Sequence, residues 1–235
     1  ASPRDLPLLA ADGPATGPQL TARVPRVRSK GAGCLPEKVT RLLRMGQTFV
    51  LEGSRLWPAA QDKWSSAAYL RRELQSANCA VLSAPCKLKR FGYWLPNRPH
   101  RRQAGEAGEL VERYSFDEPA VKHLNLSVDE FFDLSASSRD ESFYLQHRLA
   151  MPDTSGEMAP VRKLGPEMSA DFGGIDRPLL DQCREAARLG PWERTVLFVG
   201  TEATSHARTT LHYDQVDNLY LQVHGRKTFL VFDPT

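Results

Sequence analysis

Residues 212–234 read HYDQVDNLYLQVHGRKTFLVFDP, and this stretch decides the fold. Its two apolar-rich segments, Asn218 to Val223 and Lys227 to Phe232, flank His224-Gly225-Arg226, which predicts a β-hairpin. Asn218, Tyr220 and Gln222 alternate with Leu219, Leu221 and Val223, so one face of the first strand is polar and aromatic. Just upstream, His212 and Asp214 would share a strand face, with Tyr213 on the other. An imidazole and a carboxylate so placed can bind one metal ion. Two histidines and a carboxylate on one octahedral face are the donors of non-haem Fe(II) sites, which keep positions open for a cosubstrate and oxygen. Alone, His-x-Asp is a common accident; the polar strand face and Lys227 give it weight. Lys227 opens an otherwise apolar strand, so its ammonium either meets an anion there or snorkels out at the strand end.

Working outward, 235 residues suffice for one sizeable domain with a loose end, and 41% hydrophobic with 25% charged residues is ordinary for a globular chain. No apolar run approaches the roughly 20 residues of a membrane-spanning helix, and no apolar stretch follows a basic start as in a secretory signal. Ala1 in place of an initiator Met leads us to expect sequence upstream. The net charge of +3 resides in residues 1–33, where Arg4, Arg23, Arg26, Arg28 and Lys30 face only Asp5 and Asp12. A solvated tail explains this segment more simply than a nucleic-acid contact, because the rest of the chain is near neutral. Cys34, Cys79, Cys86 and Cys183 form no C-x-x-C pair and are too sparse for a disulfide framework. A reducing, cytoplasmic or nuclear setting follows, with Cys79 and Cys183 as small core residues.

Two parts are therefore expected: a flexible basic segment, 1–33, and a single domain, 34–235, whose barrel core starts near residue 194. Within the domain, Thr48 to Leu51 reads as a buried strand and Ser65 to Ser76 as a helix capped by Ser65. Cys79 to Leu82 and Arg90 to Leu95 read as strands, and Ser127 to Glu130 as a capping box. Residues 150–174 have the composition of a long loop. A helix starts at Asp176-Arg177-Pro178 and stops at Gly190-Pro191. Thr195 to Val199 is a strand. The class is α+β with a mainly β core.

The run 212–234 resembles the cupin-like JmjC oxygenases, with the spacing of His212, Asp214, Asn218, Gly225 and Lys227 all present. That family is built on a double-stranded β-helix, or jelly roll, here with N-terminal helices and flanking strands and incomplete at the C-terminus. The resemblance implies that His212 and Asp214 are iron ligands and that Lys227 holds the distal carboxylate of 2-oxoglutarate with help from Asn218 and Thr209. It places the second histidine ligand beyond residue 235, so the chain alone is expected to be inactive. His206 and His224 are poor substitutes, one in a loop and one in a turn. His100, His123 and His147 read as surface or hydrogen-bonded structural residues.

Upstream, Phe49-Val-Leu, Leu56-Trp-Pro-Ala, Lys63-Trp64 and Tyr69-Leu70 are similar to the asparaginyl-hydroxylase branch. Phe143-Tyr-Leu-Gln146 is similar to a segment that contacts cosubstrate and substrate, which makes Tyr144 a cosubstrate residue and Gln146 a substrate residue. Read without the family, Tyr144 is equally a half-buried strand aromatic. Val216 departs from the glutamine of that branch, while Asp217-Asn218 is similar to other members, including RNA-acting ones. The expected activity is Fe(II)- and 2-oxoglutarate-dependent hydroxylation of a protein side chain by molecular oxygen, with RNA as the alternative substrate and no membrane partner. Family members carry a helical C-terminal region through which a homodimer could form. The competing class is a non-catalytic cupin-like binding protein; a zinc hydrolase lacks a nucleophile or general base beside His212.

Overall fold

The computed structural model describes residues 23–75, 77–88, 90–91, 121–201, 208–209, 212, 214 and 216–232. Its elements in chain order are β1 (Arg26–Arg28), α1 (Glu37–Arg44), β2 (Val50–Glu52), α2 (Pro58–Lys63), α3 (Ala67–Glu73), β3 (Cys79–Pro85), β4 (Arg90–Phe91), β5 (Lys122–Leu126), α4 (Val128–Ser137), β6 (Glu141–Pro152), β7 (Met158–Pro160), α5 (Pro166–Asp171), α6 (Arg177–Ala187), β8 (Thr195–Val199) and β9 (Arg208–Thr209).

The long strand β6 organises the sheet. Its first half pairs with β3 and its second half with β8 and β7, while β5 flanks β3, all antiparallel. Along β6, Phe143, Leu145 and Leu149 are buried, whereas Tyr144, Gln146 and Arg148 on the opposite face are less so. The buried face packs against Trp57, Trp64, Leu70, Leu74, Phe131, Met168 and Phe172 from the helical layer. Each such side chain contributes roughly 1.5–3 kcal/mol when fully buried. Over the other face lies a smaller cluster, Leu82, Ala84 and Phe91, with Tyr144 and Val121 at its margin.

Two buried carboxylates lock the helical layer. Asp171, 5% exposed, accepts from Lys63 Nζ (2.6 Å), Tyr69 OH (2.6 Å) and Trp64 Nε1 (2.8 Å), and its main-chain carbonyl accepts from Trp57 Nε1 (2.8 Å). Burial pushes its pKa up, but these donors outweigh burial and hold it below the usual carboxylate range. Glu73 accepts from Arg72 and from the Met168 amide near the start of α5, and its pKa is likewise lowered against the effect of burial. The close approach of Gly165 to Glu73 explains that glycine: a Cβ there would lie 2.3 Å from Oε2 and 2.9 Å from the Glu73 Cα.

The capping box at Ser127 is present, with both reciprocal bonds to Glu130. The strand expected at 79–82 is β3, and the helix at Asp176 begins with that side chain accepting from Leu179 N. Other expectations need correction. The helix expected from Ser65 is shorter, Ala67–Glu73, and its cap is Ser66, whose side chain accepts from Tyr69 N. The helix from Asp176 ends at Ala187, with Arg188 in the left-handed conformation as its cap, before Gly190 is reached. Residues 150–174 are not one loop: β6 runs to Pro152, and β7 and α5 follow. Their Pro, Gly and Met content misled because β7 is an edge strand on β6, where proline is tolerated. Residues 26–28 lie within the segment expected to be flexible and overlap 22–27, which can be read as an extended edge stretch; they pair in parallel with β2, tied by Arg26 Nε to Glu52 Oε1 at 2.6 Å. Most of the antiparallel sheet comes from 79–160, from strands that precede the barrel core expected near residue 194.

The predicted hairpin is corrected as well. Gly225 adopts φ +73° in the turn, and Gln222 Nε2 donates to the His224 carbonyl at 2.5 Å, but no strand ladder forms among the described residues of 212–232. Tyr220 and Phe229 do meet across the turn, ring centroids 5.0 Å apart. A two-stranded hairpin is marginal in water unless a third strand or a covering layer holds it. Here Leu219, Phe229, Leu230 and Phe232 are about half exposed, between 49% and 57%. His212 and Asp214 accordingly lie outside any strand.

Candidate functional site

Tyr144 is the hub. Cross-strand register sets it beside Leu82 of β3 on the open face, and its ring stacks between Phe91 (5.6 Å) and Phe198 (5.9 Å). Phe91 is delivered by β4, which pairs in parallel with β9 so that Phe91 stands opposite Thr209. Lys227 Nζ donates to the Tyr144 hydroxyl at 3.3 Å and lies over four rings: Tyr220 at 5.0 Å, Phe229 at 5.1 Å, Phe198 at 5.3 Å and Tyr144 at 5.8 Å. The residue as a whole is exposed, yet the rings displace water from its ammonium, and that loss of hydration lowers its pKa. Among the described residues no carboxylate pairs with it. The result is an electron-rich box holding one cation, with its outer side open to an anion.

The metal-ligand candidates lie beside this cluster in sequence. His212 and Asp214 are both exposed, and Asp214 Oδ2 accepts from Asn218 Nδ2 at 2.5 Å. An amide bonded to one carboxylate oxygen fixes the carboxylate and leaves its other oxygen for a cation, as outer-shell partners of metal ligands do. An imidazole and a carboxylate suit Fe(II) and supply two of the three protein donors of a facial triad. Among the described residues, no group of three His, Cys, Asp or Glu side chains gathers around a common point. His206 and His100 lie outside the described residues, and His224 serves the turn through its carbonyl.

Tyr144, Thr209 and Lys227 are thus gathered at one aromatic cluster, and Asp214 and Asn218 form a second pair. Gln146 sits one register row from Tyr144, between Ala80 of β3 and Phe198 of β8. His147 faces the core side and differs from expectation: its buried Nε2 has no hydrogen-bond partner among the described residues, and burial lowers its pKa. Cys79 and Cys183 are buried as expected, with burial raising the Cys79 thiol to about 11, and all four cysteines are free. No helix among the described residues is long and apolar enough to cross a membrane.

Sequence reasoning missed the box itself. Phe91 and Phe198 carry no local signal: pairing of β8 with β6 brings Phe198 to Tyr144, and packing on Leu82 brings Phe91 there. The alternation in β8 that turns Phe198 away from Leu197 was the one clue available.

A comparison with protein-family models matches a cupin-like domain over residues 38–235. A comparison with curated proteins finds no match. With most of the chain matched and an antiparallel sheet carrying the site on its open face, this protein belongs to the cupin-like domain family.

Proposed function

We propose that the protein is an Fe(II)- and 2-oxoglutarate-dependent dioxygenase, built on a jelly-roll barrel, that hydroxylates a protein side chain in the manner of the asparaginyl-hydroxylase branch. The observation that carries this reading is Lys227, a partly dehydrated cation in an aromatic box, bonded to Tyr144 and lacking an acidic partner among the described residues. The four rings offset its lost hydration but supply no anion, and a dicarboxylate would supply the opposite charge. Membership of a family that includes many such oxygenases, and the His212–Asp214 spacing, support the same reading.

When bound, iron with 2-oxoglutarate and oxygen supplies oxidative decarboxylation to succinate coupled to hydroxylation of a C–H bond. His212 and Asp214 would hold the metal, and Asn218 orients the Asp214 carboxylate. Lys227 binds and neutralises the far carboxylate of the cosubstrate, with the Tyr144 hydroxyl and Thr209 beside it. The Phe91, Phe198 and Phe229 rings exclude water from that end, which strengthens the charge pairing. Gln146 positions the substrate. Four free cysteines fit a cytoplasmic or nuclear setting.

The test is succinate release from 2-oxoglutarate under air with Fe(II), with and without candidate polypeptides. Polypeptide-stimulated succinate that is lost in His212→Ala and Asp214→Ala supports the proposal. Stimulated succinate that persists in both variants refutes the assignment of the metal ligands. A second reading, a cupin-like binding protein without turnover, draws on the missing three-donor group among the described residues. It predicts polypeptide binding with no succinate at any iron concentration.

A further inference from the structure

On the open face of the sheet, the register aligns Asn125 of β5, Ala80 of β3, Gln146 of β6 and Phe198 of β8 in one row across four strands. The adjacent row contains His123, Leu82 and Tyr144. Leu82 is covered by Phe91, but Ala80 is exposed, so the small aromatic core stops at one row and a hollow opens at the next. That hollow, about 180 Å³, is lined by Ala80, Leu82, His123, Asn125 and Gln146 with the backbone between them. It exists because the central position is alanine, while both flanking positions carry amides about 9–10 Å apart, two strand spacings.

We infer that this hollow is a specificity subsite for an extended, uncharged polar stretch of polypeptide, with Asn125 and His123 as specificity-determining residues and Ala80 as the floor. The inference rests on the proposed function for calling that polypeptide a substrate. Three observations set the ligand's chemistry. Among the described residues no Lys, Arg, Asp or Glu lines the hollow, so these residues offer a phosphodiester or a charged side chain no counterion. The Asn125 amide and the His123 imidazole offer both donors and acceptors, which is what peptide groups and Asn, Gln, Ser or Thr side chains need. The volume falls below the roughly 300–1,000 Å³ of sites that engulf a small ligand, so a strand laid across it fits better than a metabolite. Its position is also continuous with the candidate site: Gln146 lines the hollow and is two residues from Tyr144 on the same face of β6.

The experiment is selection of random 12-residue peptides on the immobilised protein, followed by fluorescence anisotropy with the enriched peptides. These should carry a recurrent uncharged polar residue. Ala80→Trp, which fills the hollow from an exposed position, should weaken their binding at least tenfold, and Asn125→Ala three- to tenfold. Lys38→Met, at an exposed position of α1 on the helical side, should leave peptide affinity within twofold. Circular dichroism melting of each variant separates lost binding from lost folding. No enrichment over the Ala80→Trp protein, or affinities insensitive to both substitutions, overturns the inference. So does a 12-nucleotide oligouridylate that binds with the same sensitivity to Ala80→Trp. Binding of 2-oxoglutarate is read separately by calorimetry: if it binds and peptides do not, the subsite fails and the cosubstrate reading stands. If peptides bind in the hollow and 2-oxoglutarate does not, the oxygenase reading fails instead.

Discussion

Replacing Lys227 by methionine separates a ligand-binding lysine from one that snorkels, because the two roles predict different balances of stability and affinity. In the free protein two terms oppose each other. The Lys227 ammonium loses hydration, which lowers its pKa, yet it faces four rings at 5.0–5.8 Å. Cation–π contacts at partly exposed sites are worth about 0.5–1 kcal/mol each, with the smaller value apt at these distances. Methionine keeps most of the apolar contact and makes favourable ring contacts of its own. The terms nearly cancel, so Lys227→Met should change unfolding free energy by less than about 1 kcal/mol. Affinity for 2-oxoglutarate behaves differently, because a charge-assisted hydrogen bond to a carboxylate is worth about 1.5–3 kcal/mol. Its loss raises Kd by about 10- to 150-fold. The assay is isothermal titration of 2-oxoglutarate into the Mn(II)-supplemented protein under nitrogen, with urea unfolding of the same samples. An unchanged Kd, or a stability loss above about 2 kcal/mol, would refute the reasoning and make Lys227 a structural residue.

Asp171→Ala leaves the Trp64 and Tyr69 donors buried without their acceptor and should cost about 3–5 kcal/mol in urea unfolding; a cost below 1 kcal/mol would mean that the network is not a lock. The folded pKa values of Asp171 and Glu73 are depressed, so their stabilisation is complete above the unfolded value near pH 4 and is lost as pH falls through the folded values; the acid limb of a pH–stability curve should flatten in Asp171→Asn. Burial lowers the pKa of His147, so the folded state resists its protonation and stability should decline as pH falls below about 6.5, a slope that His147→Leu removes. Gly165→Ala puts a Cβ against the Glu73 Cα, a backbone atom that yields only by separating α3 from α5, and should destabilise by about 1–3 kcal/mol; a neutral result would show that the two helices shift freely.

What the sequence displayed and what it hid divide by range. The capping box at Ser127 and the helix start at Asp176 are local, and each is where the residues place it. The candidate motif was legible because side chains of the types that bind metals and anions recur at short spacing, from His212 to Lys227. The ladder of the expected hairpin was not, because pairing there needs packing partners that alternation alone does not guarantee. The aromatic box was hidden because Phe91, Tyr144, Phe198 and Phe229 lie far apart in the chain and meet only through tertiary contacts. Asp171 was hidden for a related reason: an aspartate in Ser-Ala-Asp-Phe-Gly looks solvent-facing until two tryptophans and a tyrosine close over it.

The fold puts the candidate site on one face of the sheet and the helical packing on the other. Helices and buried carboxylates hold the covered side, so β6 can present Tyr144 and Gln146 on a face free of bulky packing at Ala80. The cation at Lys227 and the imidazole and carboxylate of His212 and Asp214 follow on one short segment of chain, which suits the two ends of the proposed dicarboxylate cosubstrate. The most direct test is the visible absorption spectrum of the protein mixed with Fe(II) and 2-oxoglutarate without oxygen. The account predicts a charge-transfer band that needs both additions, disappears in His212→Ala, and needs a higher 2-oxoglutarate concentration in Lys227→Met. A featureless spectrum at saturating Fe(II) and 2-oxoglutarate, or a band untouched by His212→Ala, would contradict it.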